Sequence, residues 1–182
     1  MNQGWSEQQT RVGDGLYLRW RDYPADPART AVICLPGMSR NCRDFESLAP
    51  HLGRFLGRRV LTVDLRGRGR SDHDPDWRNY QLGPYVRDVL AVMDAAALSR
   101  AVIIGTSLGG LVGMLLAALP PVRAAGRVAG LVLNDIGPHL EPEGLRRIAA
   151  GVGTARAGAS WAEAVADVRL GYATVMPDFL ER

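Results

Sequence analysis

The sequence predicts an α/β protein, a mostly parallel sheet with helices on both faces. Three observations point there. Short apolar runs over 30–35, 59–64, 101–104 and 127–135 alternate with stretches of helical periodicity, as crossover helices between parallel strands require. The last of these runs, Val128-Ala129-Gly130-Leu131-Val132-Leu133, is apolar on both faces. Between the third run and a helix pattern over 111–119 sits Gly105-Thr106-Ser107-Leu108-Gly109, a sharp strand-to-helix turn.

The elements follow in order. Segments 7–12 and 16–22 read as two strands around Gly13-Asp14-Gly15, a hairpin turn signal. After a loop at 23–27, the run 30–35 is a buried strand ended by Pro36-Gly37. A helix is expected over 44–52, with Phe45, Leu48 and Leu52 on one face and Gly53 past its end. The strand at 59–64 runs into the loop Arg66-Gly67-Arg68-Gly69-Arg70-Ser71. Gly83-Pro84 opens a long helix, proline being tolerated in a first turn, and Val86, Val89, Leu90 and Met93 form its core stripe. Gly109, Gly110 and Gly113 keep the next helix thin where it faces the sheet. Past Asn134-Asp135-Ile136-Gly137-Pro138 the strand pattern stops. Segments 141–150 and 160–170 read as short helices, the second with a capping box of Ser160 and Glu163. A further helical turn is expected over 177–182.

Composition bounds the function. The 182 residues suffice for one domain with a sizeable core, and 47% apolar with 23% charged residues is ordinary for a soluble protein. The net charge of +3 comes from arginines dispersed along the chain, so no nucleic-acid partner is expected. Their densest cluster, Arg66, Arg68 and Arg70, reads as a solvated loop. Cys34 and Cys42 form neither a disulfide framework nor a metal-ligand spacing, and Cys34 reads as a small core residue. The N-terminus lacks a basic start and an apolar run, and the apolar stretch 111–119 is too short to span a bilayer. The expectation is a cytoplasmic, soluble protein with no membrane partner, no cofactor and no metal, acting on a small molecule. The sequence leaves its oligomeric state open.

The turn at Ser107 carries the chemistry. Side chains two positions before or after the serine would collide with neighbouring backbone, so glycine fits at 105 and 109. The hydroxyl stands above the sheet edge, and the first amides of the following helix face the same way, toward developing negative charge. Ser107 is the expected nucleophile.

Four stations together resemble the α/β-hydrolase superfamily. They are Leu35-Pro36-Gly37-Met38, Asp64-Leu65-Arg66-Gly67-Arg68-Gly69-Arg70-Ser71, the turn from Gly105 to Gly110, and Asn134-Asp135-Ile136-Gly137-Pro138. The resemblance covers roughly residues 10 to 138 and implies an α/β-hydrolase core over 1–138, with 139–182 the start of a helical cap. It implies an oxyanion hole from the amides of Leu108 and Met38. The elbow together with the cap start, whose Trp161 and Met176 would roof an apolar pocket, points to a small, fairly apolar ester, thioester or carbon–carbon bond as substrate. Many relatives carry His-Gly where this chain has Pro36-Gly37, so a possible brace of that loop is missing.

Asp135 ends the strand beside the Ser107 strand, and some relatives use an acid at this station to orient the catalytic histidine. More of them place it after a seventh strand. That strand and the eighth, followed by the histidine, have no counterpart here. An apolar strand at 128–133 left as an open edge also violates the way folds protect their edges. The chain is therefore expected to be the front two-thirds of a longer enzyme, with little turnover and poor solubility by itself. Of its three histidines, only His139 is a candidate base. The competing expectation is a binding module that kept the fold and lost its base. An aspartate-nucleophile dehalogenase or epoxide hydrolase is disfavoured by serine at 107. The loop 64–71 is expected to be a tight turn with Asp64 bonded to local backbone.

Overall fold

The computed structural model describes residues 4–151, 160–163 and 166. Six strands, β1 (Ser6–Arg11), β2 (Tyr17–Tyr23), β3 (Ala31–Leu35), β4 (Val60–Val63), β5 (Ala101–Thr106) and β6 (Val128–Asn134), form one sheet in the order β1-β2-β4-β3-β5-β6. β1 and β2 pair antiparallel through a tight connection, where Gly15 takes a left-handed φ of 93° and its N–H bonds to the Val12 carbonyl at 2.8 Å. β2 meets β4 antiparallel, and β4, β3, β5 and β6 run parallel.

The two middle strands, β3 and β4, are buried at every position, because helices cover both of their faces. Alternate residues of β3 serve the two sides. Ile33 and Leu35 join Trp20, Leu61, Val63, Val89, Met93, Val112 and Leu116, while Val32 and Cys34 join Tyr23, Phe45, Ala49 and Val60. The first cluster lies under helices α2 (Leu82–Ala95) and α3 (Leu108–Ala118), the second under α1 (Leu48–Leu56). Strand β6 lies at the sheet's edge, and its Val132 is 49% exposed. No described helix is long and apolar enough to cross a membrane.

The helix expected over 44–52 is displaced. Residues Cys42–Phe45 form a 3₁₀ turn, and α1 begins only at Leu48 and runs to Leu56, where Gly57 in left-handed conformation ends it. Pro50 gives the reason. Proline has no N–H and its ring clashes one turn back, so it is tolerated only in the first turn, where amides lack helical partners anyway. A start at residue 44 would bury it in the helix interior.

A second correction concerns Arg66, expected in a solvated loop but 2% exposed. Its guanidinium makes a two-pronged pair with Asp88 at 2.7 and 2.6 Å, and also meets Asp74 and Asp14 at 2.8 Å each. Hydrogen bonding to Asp88 raises its pKa above the ordinary guanidinium value, outweighing desolvation. The short helix α4 (Pro120–Ala124) was not anticipated.

By its contacts the chain divides into Met1–Pro138 and His139–Arg182. In the second part α5 spans Pro142–Gly151. The Ser160 hydroxyl accepts from the Glu163 amide at 3.3 Å while the Glu163 carboxylate accepts from the Ser160 amide at 2.8 Å, the reciprocal bonds of a capping box. Most of the helix expected over 160–170 and all of the turn expected over 177–182 lie outside the described residues.

Candidate active site

Three parallel strands end side by side. In register, Gly105 of β5 lies between Leu35 of β3 and Leu133 of β6, and Thr106 lies beside Asn134. The loops that leave these ends carry Met38, Ser107 and Asp135.

Ser107 bends the chain from β5 into α3 with φ 49° and ψ −113°, a conformation that L residues seldom adopt. Three main-chain bonds hold it there. Its N–H donates to the Asn134 carbonyl at 3.0 Å, and its carbonyl accepts from Gly110 at 2.9 Å and Leu111 at 3.1 Å. Strain of this kind persists only where the surroundings enforce it. The glycines are part of that enforcement. A Cβ on Gly105 would overlap the main chain of Gly109, and one on Gly109 would overlap the main chain of Leu35. The serine side chain is half-buried and makes no hydrogen bond among the described residues.

The loop after β3 lies against this bend. A Cβ on Gly37 would stand 3.7 Å from the Ser107 Cβ and 3.9 Å from the Thr106 carbonyl oxygen. Residues 37–40 form a turn closed by the Arg40 amide on the Gly37 carbonyl at 3.1 Å. Among the described residues, the N–H groups of Met38 and Leu108 bond to nothing. Two main-chain N–H groups near the Ser107 bend are thus uncommitted among the described residues. Such donors can stabilise an oxyanion in a site that excludes water.

Asp135 follows the Asn134 carbonyl that receives the Ser107 amide. It has φ 54°, is exposed, and makes no hydrogen bond among the described residues. Asn134 is turned to the bend as well, its side-chain amide donating to the Thr106 hydroxyl at 3.2 Å. The histidines are elsewhere in the bonding pattern. His51 stacks on Phe55 at 4.2 Å between ring centroids, His139 pairs with Glu141 at 3.2 Å, and no described hydrogen bond joins His51 or His73 to Ser107.

The loop after β4 is organised by Asp64. Its carboxylate accepts from the amides of Cys42 at 2.7 Å and Arg70 at 2.9 Å, and the Ser71 hydroxyl donates to its carbonyl at 2.6 Å. This ties the loop after β3 to the loop after β4, with Gly69 leaving room for the carboxylate. From the same loop, the Arg68 Nε donates to the Met38 carbonyl oxygen. No residue spacing signals that contact, since residues 38 and 68 are brought together only by strand order. A cavity of about 610 Å³ lies apart from Ser107, among Trp5, Arg19, Arg21, Cys42 and Arg70. Its charges are largely matched internally, as in Arg21 with Glu46 at 2.7 Å.

A strand-ordered sheet with a strained serine between β5 and α3 defines a class, and comparison places the chain within it. It belongs to the alpha/beta hydrolase fold family, whose sequence model matches residues 30–179. Among curated proteins, it is 39% identical over 140 residues to a 3-hydroxybutyrate-oligomer hydrolase of Cupriavidus necator, covering 75% of this chain and 44% of that one. It is 36% identical over 123 residues to the sn-1-specific diacylglycerol lipase ABHD11 of Mus musculus, covering 68% and 38%. A crystallographic alpha/beta hydrolase from Novosphingobium aromaticivorans superposes with a TM-score of 0.85 at 43% identity, over 97% of this chain and 60% of that one. The chain therefore spans less than half the length of these two curated relatives.

Proposed function

We propose that the protein is a serine hydrolase in which Ser107 attacks an acyl carbonyl or similar electrophile. The observation that carries the reading is the forced bend at Ser107, with its hydroxyl unbonded and the Met38 and Leu108 amides uncommitted beside it. In the proposed reaction the Ser107 oxygen bonds to the carbonyl carbon, and the two amides take the charge that develops on the carbonyl oxygen. The leaving group departs with a proton, and water then releases the acyl group from the serine.

A serine hydroxyl needs a proton acceptor. Neither His51 nor His73 is bonded to Ser107 among the described residues, and this reading takes the base from a part of the whole protein outside these 182 residues. Asp135 is assigned as the acid that orients it. The support is its station one residue past the Asn134 carbonyl that holds Ser107. Residues 139–182 are read as the start of a helical cap.

The substrate class is a small, fairly apolar ester, thioester or carbon–carbon bond. The names of the relatives, an oligomer hydrolase and a diacylglycerol lipase, agree with an acyl substrate and differ in everything else. The same reading makes the partner a small molecule, not a nucleic acid. Two free, buried cysteines favour the cytoplasm.

The test is a fluorophosphonate probe and a panel of short aryl esters applied to the whole protein. Labelling confined to Ser107, lost together with turnover in Ser107→Ala, is the expected result. Equal labelling and turnover in wild type and Ser107→Ala would show the reading to be wrong. The 182-residue chain alone is expected to turn over little, and brisk activity abolished by His139→Ala would move the base to His139.

A further inference from the structure

We propose that Arg68 is a positioning residue that holds the Met38 peptide in the orientation an oxyanion donor needs. The inference rests on the assignment of Ser107 and the Met38 amide above.

The turn at 37–40 contains three peptide planes, of which the first two bear on the Met38 N–H and C=O. In a trans peptide the C=O and N–H point in opposite directions. The Gly37 carbonyl is engaged inside the turn by the Arg40 amide, which directs the Met38 N–H out of it. The next plane carries the Met38 carbonyl, and the Arg68 Nε donates to that oxygen. At its far end the turn is held by Arg40, whose guanidinium pairs with Asp44 at 2.8 Å; at Met38 the support is slighter. Pro36 has no N–H to donate, Met38 is 37% exposed, and Ser39 is exposed. Among the described residues, Arg68 is the side chain bonded to the Met38 peptide.

Arg68 is itself held. Its Nη1 lies 3.4 Å from the carbonyls of Arg66 and Gly67, and its guanidinium stands 5.7 Å from the Tyr80 ring centroid. The Tyr80 hydroxyl accepts from the Asp74 amide at 2.8 Å, and a Cβ on Gly67 would run into the Tyr80 ring. A rigid guanidinium fork in such a setting fixes a carbonyl better than a mobile ammonium does. A donor contributes to rate only when it is set before the charge appears, and small misplacements are costly.

The test compares Arg68→Met, Arg68→Lys and Ser107→Ala in the whole protein, with p-nitrophenyl butyrate turnover, fluorophosphonate labelling, urea unfolding and the amide NMR resonance of Met38. Arg68→Met is expected to lower kcat and the labelling rate by about tenfold, less than loss of a whole oxyanion donor. KM should change less than about twofold, the Met38 resonance should move, and the unfolding midpoint should hold. Arg68→Lys, which keeps a donor and a charge but loses the rigid fork, should recover part of the loss. Unchanged kcat in Arg68→Met beside a dead Ser107→Ala overturns this inference and leaves the proposed function standing. So does a loss that Arg68→Lys does not relieve and that follows the unfolding midpoint. Should Arg68→Met fail to fold, Arg68→Gln takes its place with the same readings. Turnover that survives Ser107→Ala removes the proposed function and this inference together.

Discussion

The Ser107 amide donates to the Asn134 carbonyl oxygen at 3.0 Å. That bond couples two strained positions, because Ser107 (φ 49°) is its donor and Asp135 (φ 54°) follows its acceptor. Residues other than glycine held in such conformations cost about 1–3 kcal/mol each. Two of them meeting across one hydrogen bond at the ends of adjacent strands mark the place where the fold gives up stability to present side chains.

Relief of that strain is measurable. Ser107→Gly should stabilise the chain by about 1 kcal/mol in urea unfolding, glycine tolerating the bend at a smaller conformational cost, offset in part by its freer unfolded state. The same variant should lose all fluorophosphonate labelling. A less stable Ser107→Gly would mean that the hydroxyl supports the bend.

Gly109→Ala should be far worse than Gly130→Ala. At 109 the added methyl overlaps the Leu35 main chain, which cannot move without shifting β3. At 130 it would find Val102 methyls at 3.8 and 3.9 Å, an ordinary contact. We expect a loss of about 3 kcal/mol at 109, at the upper end of overpacking costs. At 130 the change should stay within about 0.5 kcal/mol. Thermal or urea unfolding of the two variants decides it.

Asp88→Ala should destabilise by about 3 kcal/mol. It strips the two-pronged partner from Arg66, leaving a buried guanidinium with Asp74 and Asp14 alone. Urea unfolding of the variant measures it.

Alkaline pH should weaken the fold through the thiols. Burial pushes Cys34 up to about 12; burial, followed by the negative Asp64 carboxylate, does the same to Cys42. An unfolded thiol titrates near about 8.5. Both groups are therefore raised in the folded state, and their contribution is full below about pH 8.5. It is then lost as pH rises toward 12, by at most about 1.4 kcal/mol per pH unit for each thiol. Urea midpoints between pH 8 and 10.5 should fall, with a shallower slope in Cys42→Ser. Iodoacetamide at pH 8 should label neither cysteine in the native protein.

The order of elements and the Ser107 turn were legible because each is a local pattern. Apolar runs set strands, and glycines at 105 and 109 announce a bend too tight for Cβ atoms. The start of α1 was misread because the apolar spacing of Phe45, Leu48 and Leu52 outweighed Pro50, whose restriction acts on the backbone. Arg66 was misread because an arginine in a glycine-rich loop looks solvated. Its partners, Asp14, Asp74 and Asp88, come from three separate segments.

By itself, then, the chain's sequence determined its class, the order of its strands and the serine at the bend, since these depend on neighbours within a few positions. Only the tertiary structure decided that Gly37 lies against Ser107, that Arg68 reaches the Met38 carbonyl, and that Asp64 joins two loops. The parallel crossovers place strands distant in sequence side by side, and the contacts between the loops at their ends follow from that placement, which no spacing of residues encodes.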